Sequence, residues 1–135
     1  LAIARQNFLN LSECSNLSFY LGDWLGAFNG FSDKFDFIVS NPPYIPKEVY
    51  ENLSIEVKKY EPKLALYGGI DGLKHIRNII KGAPNFIKKN GWVIIENHFD
   101  QGEKVKSLFN KYGFNSVKVI NDLSGIGRFT IGRYN

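Results

Sequence analysis

Short apolar runs alternate with stretches of helical periodicity along this chain, and this alternation constrains its fold more than any other feature. The predicted strands are Leu17–Leu21, Phe35–Ser40, Trp92–Glu96, Ser116–Ile120 and Arg128–Tyr134. Strands that alternate with helices indicate an α/β fold with a mostly parallel sheet and right-handed crossovers. The last two strands are joined by a loop too short for a helix, so we expect an antiparallel pair there.

Three helices are predicted, one before the first strand and two between strands. Residues 1–9 resemble the end of a helix, and apolar residues at helical spacing predict a longer one from Asp71 to Lys89. Pro84 lies inside that stretch and predicts a kink or break. A third helix is expected to begin with a capping box in which Asp100 and Glu103 bond the first turn.

Composition places the chain among ordinary globular domains. Its 135 residues are 44% hydrophobic, which is enough for one domain with a core and too little for two. The net charge of +4 is carried by scattered lysines, which favours solvated surfaces and leaves open a basic groove for nucleic acid. No apolar stretch is long enough to cross a bilayer, so no membrane partner is expected.

The residue types that bind metals or form disulfides are few. The one cysteine, Cys14, cannot form an internal disulfide, which fits a reducing cytoplasm, and no Cys–His arrangement supports a catalytic thiol. His75 and His98 lack the spacing of metal ligands, and we interpret both as structural. The chain has no Met and begins as if inside a helix, so we expect further sequence upstream.

The strand Phe35–Ser40 has an almost continuous apolar character, which predicts a parallel strand covered on both faces, and it ends in Asn41-Pro42-Pro43-Tyr44. Ligands of open α/β sheets bind beyond the carboxyl ends of strands. A proline pushes the residue before it into an extended conformation and has no N–H of its own to donate. The tetrapeptide could be a simple turn, but its place after a buried strand favours a binding corner.

The corner offers groups that suit a planar –NH2. The Asn41 side-chain oxygen and the Pro42 backbone oxygen can each accept one of its two hydrogens, while the Tyr44 ring packs against its plane. Amide and exocyclic amino nitrogens are poor nucleophiles, so positioning and electrostatics must supply most of the catalysis. No strong base is needed if the proton leaves after the nitrogen is alkylated.

At these residues the chain resembles the S-adenosylmethionine-dependent amino-methyltransferases, which modify glutamine amides or the amines of nucleobases. The stretch EPKLALYGGIDGL, residues 61–73, narrows the resemblance to the HemK/PrmC family, the N5-glutamine methyltransferases of peptide chain release factors. Further matches toward the end of the chain are Glu96, Gln101-Gly102, Gly113-Phe114, Asp122-Leu123 and Arg128. The resemblance covers essentially all of residues 1–135.

The resemblance implies a fold, a cofactor and a reaction. It implies a class I, Rossmann-like methyltransferase sheet in which strand 35–40 neighbours strand 92–96, followed by the last strand and then strand 116–120. It implies S-adenosylmethionine as the methyl donor. It also implies methylation of the glutamine in the Gly-Gly-Gln motif of release factors, which requires no direct contact with nucleic acid.

The resemblance also implies roles for individual residues. Asn41 and Pro42 are the expected catalytic residues and would hold the glutamine amide, with Pro43 and Tyr44 completing the substrate pocket. Asn41 would also lie close to the cofactor. Asp23 and Trp24 match the position that contacts the adenine of the cofactor. No metal site is implied, and we interpret Glu96 as a polar residue that ends a strand.

Other matching residues have structural interpretations. Gly68, Gly69 and Gly72 would let their loop fold over the substrate side, and no Lys-Ser/Thr follows to make it a phosphate cradle. Asp71 could cap the helix that follows.

The chain departs from the family at its beginning. The family's amino-terminal helical domain, its Gly-rich cofactor loop and the first two strands are not recognisable here, so we interpret 1–135 as the carboxyl-terminal part of one methyltransferase domain. We expect this chain alone to be inactive and to bind the cofactor weakly or not at all. Strands 17–21 and 35–40 would then expose apolar edges, and either pair with each other or drive self-association.

Two other functions remain open at this point. One is methylation of adenine-N6 or another exocyclic amine in DNA or RNA, which the mild positive charge allows. The residues 65–73 argue against it, as does the lack of a basic cluster. The other is a binding module without catalysis, which the missing cofactor elements favour and the intact Asn41–Tyr44 corner opposes.

Overall fold

The structure, a computed structural model, describes residues 1–11 and 16–135, and of Leu11 it describes only the backbone. The chain divides into two compact units, residues 1–32 and residues 33–135. Each unit is described by itself. The larger one contains the sheet and the Asn41–Tyr44 corner.

The larger unit contains four strands and five α-helices. The strands are β1 (Phe35–Ser40), β2 (Ile87–Glu96), β3 (Phe114–Asn121) and β4 (Gly127–Tyr134). The helices are α2 (Lys47–Glu51), α3 (Ile55–Tyr60), α4 (Lys63–Leu66), α5 (Lys74–Gly82) and α6 (Gly102–Lys111). A 3-10 turn, Ala83–Asn85, follows α5 directly.

The four strands form one mixed sheet in the order β1-β2-β4-β3. β1 pairs with β2 in parallel, while β4 is antiparallel to both β2 and β3. In the register, Ile38 pairs with Val93, and Ile94 pairs with Ile131. The expected antiparallel pair at the end of the chain is therefore confirmed, and the strand order agrees with the one that the family resemblance implies.

The core lies on the face of the sheet where α5 and α6 carry their apolar side chains. From β2, Val93 and Ile95 are fully buried, and α6 packs against β3 and β4 with Phe109 in contact with Gly132. The buried apolar residues of this core are Ile38, Leu73, Ile76, Ile79, Ile80, Ala83, Ile87, Val93, Ile95, Val105, Phe109 and Phe114. This burial orients β1 and β2 so that their carboxyl ends meet at one edge, where the corner begins.

The strand β1 has the predicted bounds but only one covered face. Ile38 is buried, whereas Phe37 is 62% exposed and Val39 is 71% exposed. The prediction that this strand is covered on both faces is therefore wrong within the described residues. As the sheet's edge strand it pairs on one side only, and the exposed apolar edge that we expected is present.

The helix predicted over Asp71–Lys89 is shorter than expected. α5 ends at Gly82, and the break that Pro84 predicts is found there. The Phe86 carbonyl accepts a hydrogen bond from the Phe35 amide at 2.7 Å, so the backbone has already joined β1. The residues through Lys89 therefore belong to β2, and the polar run before Trp92 lies in a strand rather than at a helix end.

The predicted capping box before α6 is wrong. The residue at the helix cap is Gln101, without a side-chain capping bond, and Asp100 instead pairs with the His98 ring at 2.6 Å. Glu103 lies in the first turn, where a carboxylate stabilises the helix through its dipole.

The smaller unit contains α1 (Ala2–Leu11) and a 3-10 turn over Trp24–Phe28. The predicted helix at the start of the chain is confirmed. The predicted strand Leu17–Leu21 is wrong, because no described residue pairs with this segment, and Leu17 and Leu21 are 52% and 83% exposed. A strand requires a partner for its backbone groups, which apolar character alone does not supply. Among the described residues, every helix is too short or too polar to cross a membrane.

Candidate active site

The Asn41-Pro42-Pro43-Tyr44 corner follows β1 at the carboxyl end of the sheet's parallel strands. Asn41 is exposed, Pro42 is fully buried, and Pro43 and Tyr44 are half-buried. A pocket of about 190 Å³ opens here, and its walls are Asn41, Pro42, Pro43, Tyr44, Ile45, Ala65 and Leu66. The structure therefore brings together all four predicted substrate-binding residues in one small cavity.

Asn41 has an unpaired side chain. Within the described part of the chain, its amide makes no hydrogen bond to protein, although it lines the pocket. An exposed side-chain amide of this kind offers one carbonyl acceptor and two N–H donors to a ligand. The corner thus presents a polar group whose bonding capacity the fold leaves unused.

Tyr44 has both its polar groups in hydrogen bonds. Its hydroxyl donates to Glu96 Oε1 at 3.3 Å, and its backbone carbonyl accepts from Gln101 Nε2 at 3.0 Å. Burial, together with the negative charge of Glu96, raises the pKa of the Tyr44 hydroxyl, so it stays protonated and remains a donor. Its ring lies 6.2 Å from that of His98, centroid to centroid.

The glycine-rich loop after α4 packs against the corner from the other side. A Cβ at Gly68 would lie 2.8 Å from the Tyr44 carbonyl carbon, and one at Gly72 would lie 2.3 Å from the Tyr44 oxygen. Two backbone hydrogen bonds join this region to Ile45, the residue after the corner. The Ile45 amide donates to the Leu66 carbonyl, and the Gly68 amide donates to the Ile45 carbonyl. In this structure, the glycines permit close packing on the backbone of Tyr44.

Asp71 fixes the end of that loop. Its carboxylate accepts a hydrogen bond from the Leu73 amide at 3.0 Å and from the Arg77 guanidinium at 2.7 Å. Partial burial opposes ionisation of the carboxyl, but these hydrogen bonds outweigh it and hold the Asp71 pKa below its usual value. Asp71 therefore ties the loop to the start of α5, although the formal cap residue is Leu73.

A buried polar chain connects the corner to the sheet. The Thr130 hydroxyl donates to Asn97 Oδ1 at 2.7 Å, and Asn97 Nδ2 donates to the His98 carbonyl at 2.9 Å. The His98 amide in turn donates to Gln101 Oε1 at 3.0 Å. The ring of His98 pairs with Asp100, and this hydrogen bond lowers the pKa of the Asp100 carboxyl. His98 thus has the structural role expected of it.

Asp23 and Trp24 lie in the smaller unit, at the start of its 3-10 turn. Asp23 is exposed, and its carboxylate makes no capping bond to the turn that follows. Trp24 has a backbone φ of +51°, which is unusual for a bulky side chain and costs about 1–2 kcal/mol. Such backbone strain occurs at ligand sites.

Two supports of the corner are not expected from the sequence. Glu96 is more than a polar strand end because it accepts the Tyr44 hydroxyl, and Gln101, part of the family match, donates to the Tyr44 carbonyl. The signal for Glu96 is a polar residue at the end of the neighbouring parallel strand, whereas Gln101, at the cap of α6, has no such local signal. Cys14 lies outside the described residues. Among those described, no cluster of His, Cys, Asp and Glu could hold a metal ion.

Curated proteins confirm the family resemblance, although no family model matches the chain. Release factor glutamine methyltransferase from Prochlorococcus marinus is 43% identical over 129 residues, which are 96% of this chain and 44% of that protein. Its counterpart from Caulobacter vibrioides is 40% identical over 132 residues, or 98% of this chain and 45% of that protein. The chain therefore spans about half the length of the curated relatives it matches.

A solved structure confirms the fold. SMU.776, a methyltransferase-like protein crystallised with SAH, superposes with a TM-score of 0.55 over 98% of this chain and 35% of that one, at 14% sequence identity. At that identity the likeness concerns the fold alone. The predicted class I methyltransferase architecture, with its Rossmann-like sheet, is confirmed.

Proposed function

This chain is homologous to the release factor glutamine methyltransferases, and from that premise we propose that the protein methylates the side-chain amide nitrogen of the Gly-Gly-Gln glutamine in peptide chain release factors. The observation that carries the proposal is the corner after β1, where Asn41 has an unused amide beside a pocket of about 190 Å³. The methyl donor is S-adenosylmethionine, and the partner is the release factor itself.

The cofactor supplies an activated methyl group on sulfur. Asp23, Trp24 and Asn41 are the residues we propose to hold it, with the Asp23 carboxylate accepting hydrogen bonds and the Trp24 ring packing on the adenine. The exposed Asp23 and the strained Trp24 support this assignment.

The residues of the corner orient the substrate amide. The Asn41 side-chain oxygen and the Pro42 carbonyl accept its two N–H groups, which aims the nitrogen lone pair out of the corner. Pro42 is one of the residues that line the pocket, which supports this role. Tyr44 stays neutral and packs its ring against the amide plane, while Pro43 closes the wall. Holding the reactants in line is a large contribution that such a site can make.

We propose that residues 1–135 correspond to the carboxyl-terminal part of one methyltransferase domain, and that this chain alone is inactive and binds the cofactor weakly or not at all. The free edge of β1, with Phe37 and Val39 exposed, supports that assignment. The substrate class favours a site of action in the cytoplasm, where release factors work.

The test is a methyl-transfer assay with the protein at its full natural length. It is incubated with S-adenosylmethionine and a release factor, and the modified residue is mapped by mass spectrometry. The expected product carries one methyl group on the Gly-Gly-Gln glutamine. A release factor with glutamate at that position lacks the amide nitrogen and serves as the matched control, on which no methyl group is expected.

A parallel incubation with DNA and RNA separates the alternative activity. Methylation of adenine or another nucleobase, with none on the release factor, would contradict the proposal. It would assign the same corner to an exocyclic amine, which presents the same two hydrogens.

A further inference from the structure

Gln101 is a buried side chain near the corner with both ends of its amide in hydrogen bonds. It is 2% exposed and lies just before α6, 57 residues after Tyr44 in sequence. Its Nε2 donates to the Tyr44 carbonyl at 3.0 Å, and its Oε1 accepts from the His98 amide at 3.0 Å. Both ends of one side-chain amide thus join two backbone segments that the sequence keeps far apart.

The partners of Gln101 allow only one orientation of its amide. A backbone N–H faces one end and a backbone carbonyl faces the other, so the oxygen must point to His98 and the nitrogen to Tyr44. Glutamine is the side chain of this size that supplies one acceptor and one donor in that order. An ionised carboxylate has no donor and would place a negative oxygen against the lone pairs of the Tyr44 carbonyl.

Gly72 leaves the space that this contact needs. A Cβ at Gly72 would lie 2.4 Å from Gln101 Nε2 and 2.3 Å from the Tyr44 oxygen. The hydrogen bond therefore passes through a gap that any larger residue would close. Gln101, Gly72 and the Tyr44 carbonyl form a single close-packed group, which we call the clamp.

The clamp is anchored to the interior of the sheet. The carbonyl of His98 is held by Asn97, which itself accepts the hydroxyl of Thr130, and both of these side chains are fully buried. The backbone that presents its amide to Gln101 is thus fixed to β4. A shift of Tyr44 away from the clamp would leave the buried Gln101 donor and the partly buried Tyr44 acceptor unpaired.

We propose that Gln101 is a positioning residue for methyl transfer, acting through the Tyr44 carbonyl to fix the path of the backbone that carries Asn41 and Pro42. This inference rests on the proposed function. The chain between Asn41 and Tyr44 contains two prolines with restricted φ, so fixing Tyr44 restricts the direction of the Pro42 carbonyl as well. Errors of about 1 Å in such positions cost roughly 100-fold in rate.

The test compares Gln101→Glu and Gln101→Leu in the protein at its full natural length. Gln101→Leu removes both hydrogen bonds, and we expect the single-turnover rate of methyl transfer to fall about 100-fold. Gln101→Glu keeps the acceptor for His98 and loses the donor to Tyr44. The ratio of the Gln101→Glu rate to the wild-type rate should rise as the pH falls, because protonating the introduced carboxyl restores an O–H donor. The corresponding ratio for Gln101→Leu should not change with pH.

The matched control is Phe109→Leu, which loses core packing on the same helix without touching the corner. Its thermal midpoint should fall at least as much as that of Gln101→Leu, while its transfer rate stays within about threefold of wild type. A rate loss in Phe109→Leu as large as in Gln101→Leu would overturn the proposal, since stability alone would then explain the effect. A pH-independent Gln101→Glu ratio would also overturn it.

Amide hydrogen exchange tests the clamp without any substrate. In Gln101→Leu, the amides of Ile45 and Gly68 should exchange at least about 10-fold faster, while amides in the β2–β4 ladder stay within about threefold of wild type. Unchanged exchange rates at Ile45 and Gly68 would show that Gln101 does not fix this backbone, and would overturn the proposal. Faster exchange in a protein that does not methylate release factors would refute the proposed function and leave the clamp standing.

Discussion

Asn41 and Tyr44 stand three positions apart in one tetrapeptide, and the fold treats them in opposite ways. Tyr44 has its carbonyl and its hydroxyl in hydrogen bonds with residues from distant parts of the chain, Gln101 and Glu96. Asn41 is exposed, lines the pocket, and makes no side-chain hydrogen bond to any described residue. One end of the corner is thus satisfied by the protein and the other is left for a ligand.

The difference shows how this fold can present an unsatisfied polar group without losing its shape. Binding sites need side chains whose positions are set by surrounding packing and hydrogen bonds. Here the support comes from the carboxyl end of β2, the amino end of α6 and the glycine-rich loop, all of which contact Tyr44. Substitutions in these supporting segments should therefore mainly lower stability, and substitutions at Asn41 should mainly lower the rate of methyl transfer.

Gly72→Ala should have the largest effect on stability. The added Cβ would clash with the Tyr44 oxygen and Gln101 Nε2, and the backbone φ of +75° disfavours alanine. We expect the free energy of unfolding to fall by about 2–5 kcal/mol, measured by urea denaturation.

Gly125→Ala is the matched control for that substitution. Gly125 has a similar φ of +80° with open space around it, so this variant should lose only about 1–2 kcal/mol. Equal losses in the two variants would mean that backbone strain explains both and that the clamp contributes nothing.

Tyr44→Phe should have a smaller effect at the supported end. It removes the hydroxyl that donates to Glu96 and keeps the ring, so we expect a loss of about 0.5–1.5 kcal/mol in thermal or urea unfolding. Tyr60→Phe, at a site 74% exposed, should change stability by less than about 0.5 kcal/mol. If Tyr44→Phe is as neutral as Tyr60→Phe, the Glu96 contact does not support the corner.

Asp71→Asn should have the smallest effect, visible as a change in pH dependence. The folded-state pKa of Asp71 lies below its ordinary value, so the folded protein binds fewer protons than the unfolded chain through this group. Its stabilisation is present above the ordinary Asp pKa of about 3.9 and is lost as the pH falls through the folded-state value. The pair with Arg77 is largely exposed, which limits the effect to below about 1 kcal/mol.

Urea unfolding at neutral pH and at pH 3 measures this dependence. The difference between wild type and Asp71→Asn should shrink as the solution is acidified, and Arg77→Gln should show part of the same change. A difference that is constant across that range would contradict the assigned hydrogen bonds.

The local pattern of the sequence predicted much of the fold and the front of the site. The bounds of β1 and the antiparallel pairing of β3 and β4 followed from apolar runs and loop length, and the order of the sheet followed from the family resemblance. The grouping of Asn41, Pro42, Pro43 and Tyr44 around one pocket was expected because the four residues are consecutive.

The errors arose where a distant partner decides the local structure. Residues 86–91 have the periodicity and polar ending of a helix, but the hydrogen bond from the Phe35 amide to the Phe86 carbonyl aligns them with β1 in the sheet. Asp100 fits a capping pattern, but its carboxylate is hydrogen-bonded to the ring of His98 instead of capping the helix. The clamp joins residues 57 positions apart, which no local pattern predicts.

The division of the corner into a supported end and a free end is tested most directly by Asn41→Ala in the protein at its full natural length. Because the Asn41 side chain makes no hydrogen bond to any described residue, the free energy of unfolding should change by less than about 0.5 kcal/mol. The rate of methyl transfer to the release factor glutamine should fall by about 100- to 1,000-fold, as for loss of a preorganised polar group. A variant that loses several kcal/mol of stability, or one that keeps its full transfer rate, would contradict this account.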